Sequence, residues 1–171
     1  MNILLTTFIL FFSLSLFSED RVGGNLKSGT TMPDLPLYTL DNQRFMLYEV
    51  LEKLSPDRYL LINFTSTSCK PCKEEIPELI KIKQAHSRIE LYFIFVGDQN
   101  EAIEAKVQEL KIPSENRFLK DPLETALRRL NIKAVPMTYL LGRDKIISAF
   151  SIGYTPEKFK EFKNQIKGIL N

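Results

Sequence analysis

Two dense hydrophobic runs of strand length lie near the middle of the chain. The runs Tyr59–Thr65 and 90–96 are rich in aromatic and β-branched residues, and turn-forming residues bound both of them. Residues 73–86, between the runs, carry apolar side chains at roughly helical spacing with charged residues between them. This pattern predicts a buried strand, a helix and a second buried strand. Pro77 should kink the helix, because proline removes a backbone donor.

Amphipathic and apolar segments continue on both sides of this centre. Upstream, the pattern predicts a hairpin within residues 32–47 and a short helix over 47–54. Downstream, it predicts a short strand over 117–120, a hairpin of 137–141 with 145–151, and helices over 100–110, 122–130 and 155–170. This order of elements predicts an α/β domain with a mixed sheet covered by helices.

The N-terminal residues differ from the rest of the chain. Residues 1–18 form an apolar stretch that contains no charged side chain and ends in small residues, which is typical of a secretory signal peptide. An uncleaved N-terminal anchor is the alternative, because the terminal amine is the only positive charge before the apolar stretch. Residues 19–31 are polar and rich in glycine, and we expect a flexible lead-in to a domain over 32–171. The protein is therefore expected to be exported, to the periplasm or another extracytoplasmic compartment, where disulfides persist.

The amino-acid composition argues against nucleic-acid binding and against a metal site. The 171 residues carry a formal net charge of +2 and have no long run of lysine or arginine, which argues against nucleic-acid binding. The chain contains two cysteines and one histidine, Cys69, Cys72 and His86. A zinc site normally needs four ligands, and copper delivery needs more soft or imidazole ligands, so we expect no metal and no other cofactor.

Cys69 and Cys72 follow the first buried strand and open the helix. A helix N-terminus favours a thiolate, which is the nucleophile in disulfide exchange, and Lys70 adds a nearby positive charge. Pro71 fits the first helical turn, where its missing N–H has no partner to lose. We assign Cys69 as the attacking nucleophile and Cys72 as the resolving thiol. A purely structural disulfide is the alternative, but so short a loop would stabilise the fold little.

The motif and its surroundings resemble the thioredoxin superfamily, and within it the exported TlpA/ResA-like thiol–disulfide oxidoreductases. The resemblance covers about residues 32–168 and depends on separate features: the strand followed by Cys69-x-Pro71-Cys72 and a helix, Pro77, Val135-Pro136 and Gly153. It implies a thioredoxin-like fold, with a central mixed sheet flanked by helices, an N-terminal β-hairpin and an extra helix–strand insertion.

The resemblance also implies roles for four residues. Pro136 should follow a cis peptide bond and pack against the disulfide, which leaves the backbone of Val135 to pair with an extended substrate segment. Gly153 would close the substrate surface. Glu75 would relay the proton of Cys72, provided that burial raises its pKa. The alternatives are an ordinary first-turn acid at Glu75 and a simple strand-end proline at Pro136.

Two positions depart from the pattern of related proteins. Ser68 stands where many of them have tryptophan, just before the first cysteine, which puts the usual partner surface in doubt. Asn63 stands in the central strand where plain thioredoxins bury an aspartate, as is common in the TlpA-like branch. Neither departure touches the thiol chemistry.

We therefore expect a monomeric, exported disulfide reductase that acts on protein disulfides and receives electrons from a membrane-borne thiol donor. Cytochrome c maturation is a pathway implied only by the resemblance. A net oxidase or isomerase is the nearest enzymatic alternative, because one motif does not fix the reduction potential. A non-catalytic thioredoxin-fold binding module, with a passive or regulatory disulfide, is the alternative from another class.

Overall fold

The computed structural model describes residues 26–171, and the predicted signal segment and the first part of the lead-in lie outside these residues. The described part contains seven strands and five helices. The strands are β1 (Pro36–Thr39), β2 (Arg44–Met46), β3 (Tyr59–Thr65), β4 (Ile89–Val96), β5 (Arg117–Asp121), β6 (Met137–Leu141) and β7 (Ile147–Ile152). The helices are α1 (Leu47–Lys53), α2 (Lys70–Ala85), α3 (Asn100–Glu109), α4 (Thr125–Arg129) and α5 (Pro156–Leu170).

The strands form one mixed sheet in the order β2-β1-β5-β4-β3-β6-β7. The centre is parallel, since β4 pairs in parallel with both β3 and β5. The other pairings are antiparallel. The predicted α/β thioredoxin-like fold is confirmed: β1 and β2 form the N-terminal hairpin, and α3 with β5 supplies the additional helix and strand.

Two hydrophobic layers cover the faces of the sheet. One contains buried side chains of α1 and α4, including Leu47, Leu51 and Ala126. The other contains those of α2, α3 and α5. The central strand β3 is fully buried apart from its first residue, because helices cover both of its faces. The end of a strand buried in this way has a fixed position, and the loop that leads to Cys69 starts there.

The helices differ from the predicted ones mainly at their ends. The predicted helix over 122–130 is shorter, because Glu124 adopts a left-handed conformation (φ 54°) and α4 begins only at Thr125. Pro77 lies inside α2, and the helix continues past it to Ala85. Among residues 26–171, no helix has the length and apolar character needed to cross a bilayer.

The end of the predicted lead-in is hydrogen-bonded to the domain. The amide of Gly29 donates to the Ile147 carbonyl (2.8 Å), and the amide of Met32 donates to the Lys145 carbonyl (2.8 Å). These contacts lie at the turn between β6 and β7. That turn is near the first residues of β3, because Leu60 pairs with Leu141. The segment 29–32 therefore binds at the end of the sheet opposite to the end where β3 leads into α2.

Candidate active site

Cys69 is the N-cap of α2, and three residues separate it from the end of β3. Its Sγ accepts a hydrogen bond from the amide of Cys72 at 3.2 Å, which satisfies one of the free N–H groups at the start of the helix. Pro71 lies in the first turn, as predicted. The helix N-terminus thus stabilises negative charge on the sulfur that would form the thiolate.

Cys69 and Cys72 form a disulfide, with their Cα atoms 5.3 Å apart. The two sulfurs differ in access: Cys69 is half-buried, whereas Cys72 is 1% exposed. An external disulfide can therefore reach Cys69 far more readily than Cys72. This asymmetry supports an attacking role for Cys69 and a resolving role for Cys72.

The loop before β6 lies against the disulfide. The Val135–Pro136 peptide bond is cis, and the Val135 carbonyl oxygen lies 3.6 Å from Cys69 Sγ. Gly153, at φ +68°, donates from its amide to the Pro136 carbonyl at 2.9 Å. The fold thus brings Val135 and Pro136, more than sixty residues later in the sequence, beside Cys69, and Gly153 contacts the same loop.

Glu75 lies one helical turn after Cys72 on the buried face of α2 and is 1% exposed. Its Oε2 accepts from Asn63 Nδ2 (2.8 Å), and its Oε1 accepts from Thr138 Oγ1 (3.1 Å). Asn63 Nδ2 also donates to Thr138 Oγ1 at 2.8 Å. Burial raises the pKa of Glu75 from 4.5 to about 7, while the hydrogen bonds from Thr138 and Asn63 act in the opposite direction. A carboxyl group with this pKa can exchange a proton near neutral pH.

Asp98 holds the loop that precedes Cys69. This loop, residues 66–68, is called the active-site loop below. The Asp98 carboxylate accepts from the Thr67 amide (2.9 Å), from Thr67 Oγ1 (2.6 Å) and from Ser66 Oγ (3.4 Å). The C-terminal ends of two neighbouring parallel strands, β3 and β4, are therefore connected beside the disulfide.

The sequence model of the AhpC/TSA family matches residues 28–150, which is most of the chain. The chain belongs to the AhpC/TSA family. The thioredoxin-like protein YneN of Bacillus subtilis is 24% identical to it over 151 residues, which cover 86% of this chain and 83% of that protein.

Solved structures share the fold of this AhpC/TSA member. The thioredoxin domain of a thiol-disulfide oxidoreductase from Bacteroides vulgatus has a TM-score of 0.68 at 18% identity, and the match covers 85% of this chain and 99% of that one. A secreted Mycobacterium tuberculosis disulfide oxidoreductase homologous to E. coli DsbE has a TM-score of 0.61 at 16% identity, and the match covers 78% and 95%. The predicted membership of the thioredoxin-like proteins is confirmed by the shared fold and by the AhpC/TSA family match.

The predicted C-x-x-C disulfide is present as Cys69–Cys72, and both of these solved structures are named as disulfide oxidoreductases. In the part of the chain that the structure describes, no group of three or more His, Cys, Asp or Glu side chains is placed to hold a metal ion.

Two polar residues of this AhpC/TSA member were not identified from the sequence as part of the site. Thr138 contacts Glu75 across 63 residues of sequence, and Asp98 contacts Thr67 across 31. A signal exists for Asp98, because it is a polar residue directly after a buried strand, at the edge of the sheet where β3 also ends. No such signal exists for Thr138, since it lies inside β6, where the neighbouring residues are hydrophobic and indicate only a buried strand.

Proposed function

We propose that this protein is an extracytoplasmic thiol–disulfide reductase that acts through Cys69 and Cys72. The observation that carries the proposal is the asymmetry of the two sulfurs. Cys69 is accessible and capped by a helix N-terminus, whereas Cys72 is buried one turn from a carboxyl group with a pKa of about 7.

The reaction begins with the reduced protein. The Cys69 thiolate attacks one sulfur of a substrate disulfide, and the other substrate sulfur leaves as a thiolate and takes up a proton. The Cys72 thiol then loses its proton to Glu75, and its thiolate attacks Cys69 Sγ in the mixed disulfide. The second substrate sulfur leaves as a thiolate and takes up a proton, and Glu75 returns its own proton to the solvent. The substrate has then gained two electrons and two protons, and the protein is left as the Cys69–Cys72 disulfide.

The loop of Val135 and Pro136 supplies the surface for the substrate in this proposal. The contact of the Val135 carbonyl with Cys69 Sγ supports it, because a substrate segment that pairs with the Val135 backbone would lie next to the attacking sulfur. Gly153 supports the same loop through its hydrogen bond to Pro136. We expect a thiol donor in the membrane to reduce the protein again after each turnover.

An insulin reduction assay on the domain of residues 26–171 tests the proposal. The wild-type domain should accelerate thiol-dependent insulin reduction, and Cys69→Ser should abolish the acceleration. Cys72→Ser should instead accumulate a mixed disulfide with the substrate, because the resolving thiol is missing. Wild-type activity no higher than that of Cys69→Ser would favour a binding module with a passive disulfide.

The direction of electron flow is tested by the reduction potential of the Cys69/Cys72 couple. A potential near that of thioredoxin, about −270 mV, would support a reductase, whereas one near −120 mV would indicate an oxidase. A peptide that contains an oxidised C-x-x-C-H motif tests the cytochrome c pathway suggested by the TlpA/ResA resemblance. Reduction of this peptide no faster than that of a scrambled control would argue against that pathway.

A further inference from the structure

The active-site loop has little hydrophobic packing to hold it in place. Its three residues are small and polar: Ser66 and Thr67 are half-buried, and Ser68 is exposed. Within the chain segment itself, the amide of Cys69 donates to the Ser66 carbonyl at 3.2 Å, which closes a turn. Such a loop depends on polar contacts with other elements for a single conformation.

Asp98 supplies those contacts. Both of its carboxylate oxygens accept hydrogen bonds from the loop, at 2.9 Å from the Thr67 amide and 2.6 Å from Thr67 Oγ1, with Ser66 Oγ at 3.4 Å. Hydrogen bonds to a charged acceptor are about twice as strong as neutral ones. Asp98 follows Gly97 just after β4. This strand pairs with β3 from Ile89 to Phe95 and also with β5, so the position of Asp98 is fixed by the centre of the sheet.

We propose that Asp98 is a positioning residue for Cys69. By fixing Thr67 and Ser66, it holds Cys69 at the N-cap of α2, with Sγ 3.2 Å from the Cys72 amide and 3.6 Å from the Val135 carbonyl oxygen. This role rests on the proposed function, because it concerns the rate at which Cys69 attacks. None of the hydrogen bonds of Asp98 involves a sulfur atom, and in this proposal Asp98 takes no part in the exchange reaction.

Four substitutions separate the hydrogen bonds of Asp98 from its charge. Asp98→Ala removes both. Asp98→Asn removes the charge but can keep two of the bonds, because the Thr67 hydroxyl can turn to accept from the amide. Thr67→Val removes only the hydroxyl donor, and Thr67→Ser restores it. Asp144→Ala is a matched control, because Asp144 also accepts a backbone amide in a turn (Ile146, 3.1 Å) but lies at the opposite end of the sheet.

The first measurement is the second-order rate constant for alkylation of Cys69 by iodoacetamide in the reduced protein, with the modified residue identified by mass spectrometry. We expect a fall of about tenfold in Asp98→Ala and about threefold in Thr67→Val, since a Cys69 that leaves the N-cap loses the amide that stabilises its reactive thiolate. Asp98→Asn, Thr67→Ser and Asp144→Ala should stay within about twofold of the wild type. Urea unfolding checks that each variant is folded. If Asp98→Ala does not fold, the alkylation rate of Thr67→Val alone tests the positioning role.

Unchanged alkylation in both Asp98→Ala and Thr67→Val would show that the carboxylate has no positioning role. An equal fall in Asp98→Asn and Asp98→Ala would assign the effect to charge and overturn the inference. In insulin reduction, positioning predicts a lower kcat with little change in KM. A wild-type protein that does not reduce insulin would contradict the proposed function, while the alkylation rates would still test the role of Asp98.

Discussion

The carboxyl group of Glu75 is buried, and burial makes its ionisation unfavourable. Desolvation raises its pKa to about 7, and the hydrogen bonds from Thr138 and Asn63 reduce this shift because they stabilise the charged form. The spacing of Glu75 from Cys72 could be read from the sequence, since residues three apart share a helix face. Its contact with Thr138 could not, because it depends on the register of β3 against β6, in which Asn63 pairs with Thr138.

Substitution of Glu75 by glutamine should remove a pH dependence from both stability and rate. The folded pKa is raised above the unfolded value of 4.5, so the folded state binds the proton more tightly. The free energy of unfolding should therefore fall as pH rises from about 4.5 to about 7, by up to about 3 kcal/mol. Urea unfolding at pH 4.5 and pH 8 should show this loss in the wild type and not in Glu75→Gln. The pH profile of disulfide exchange should also shift in the variant, and an unchanged profile would contradict a proton-relay role.

Replacement of Thr138 by valine should push the pKa of Glu75 further upward. The substitution keeps the shape of the side chain but removes the hydroxyl that donates to Glu75 and accepts from Asn63. The pH profile of exchange should move to higher pH, opposite to the effect of an added hydrogen bond. The free energy of unfolding should fall by about 1 to 3 kcal/mol, because a buried donor loses its acceptor. A profile that moves to lower pH would show that Thr138 does not stabilise the carboxylate.

At the scale of elements, hydrophobic pattern and end signals account for most of the fold. The predicted start of α5 is confirmed: Thr155 Oγ1 accepts from the Lys158 amide at 3.3 Å, and Pro156 opens the helix. The helix α4 shows where pattern alone fails. No side chain at its own N-cap, Glu124, caps it; instead Asp121, in the preceding strand, accepts from the amides of Thr125 and Leu127. Asp121 lies three residues before the N-cap, at a position where the usual N-cap pattern does not look for a capping side chain.

Loss of the Asp121 carboxylate should destabilise the fold through α4. Asp121→Ala leaves two helix amides without an acceptor, whereas Asp121→Asn can keep one of them. We expect the free energy of unfolding to fall by about 2 kcal/mol in the first variant and about 1 kcal/mol in the second. Urea unfolding at pH 7 measures both. Equal losses in the two variants would indicate that the charge of Asp121, and not the number of its hydrogen bonds, matters.

In the molecule as a whole, the first described residues and the Cys69–Cys72 disulfide lie at opposite ends of one sheet. The segment 29–32 binds at the β6–β7 turn, near the first residues of β3, while the disulfide follows the last residue of β3. Met32 is fully buried in this arrangement, and its carbonyl accepts from Tyr48 Oη at 2.7 Å. The polar, glycine-containing sequence of this segment favours a flexible lead-in. Its pairing with the domain, Thr31 with Ile146, joins residues more than a hundred positions apart, so no local pattern in the sequence predicts it.

Truncation of Met32 to alanine should therefore cost stability without affecting the thiols. The loss of a buried methionine side chain is expected to lower the free energy of unfolding by about 2 to 5 kcal/mol. The alkylation rate of Cys69 should be unchanged, since the two residues lie at opposite ends of β3. Lys27→Ala, an exposed neighbour, should change the free energy of unfolding by less than about 0.5 kcal/mol. A slower reaction of Cys69 in Met32→Ala would reveal coupling between the two ends.

The seven residues of β3 span about 20 Å, and this length has a practical use. A resin, electrode or fluorophore coupled at the exposed Ser28, next to Gly29, would be attached at the end of the sheet opposite to the sulfurs. A domain immobilised in this way would present Cys69 outward to the surrounding solution, in uniform orientation, with no linker crossing the catalytic edge.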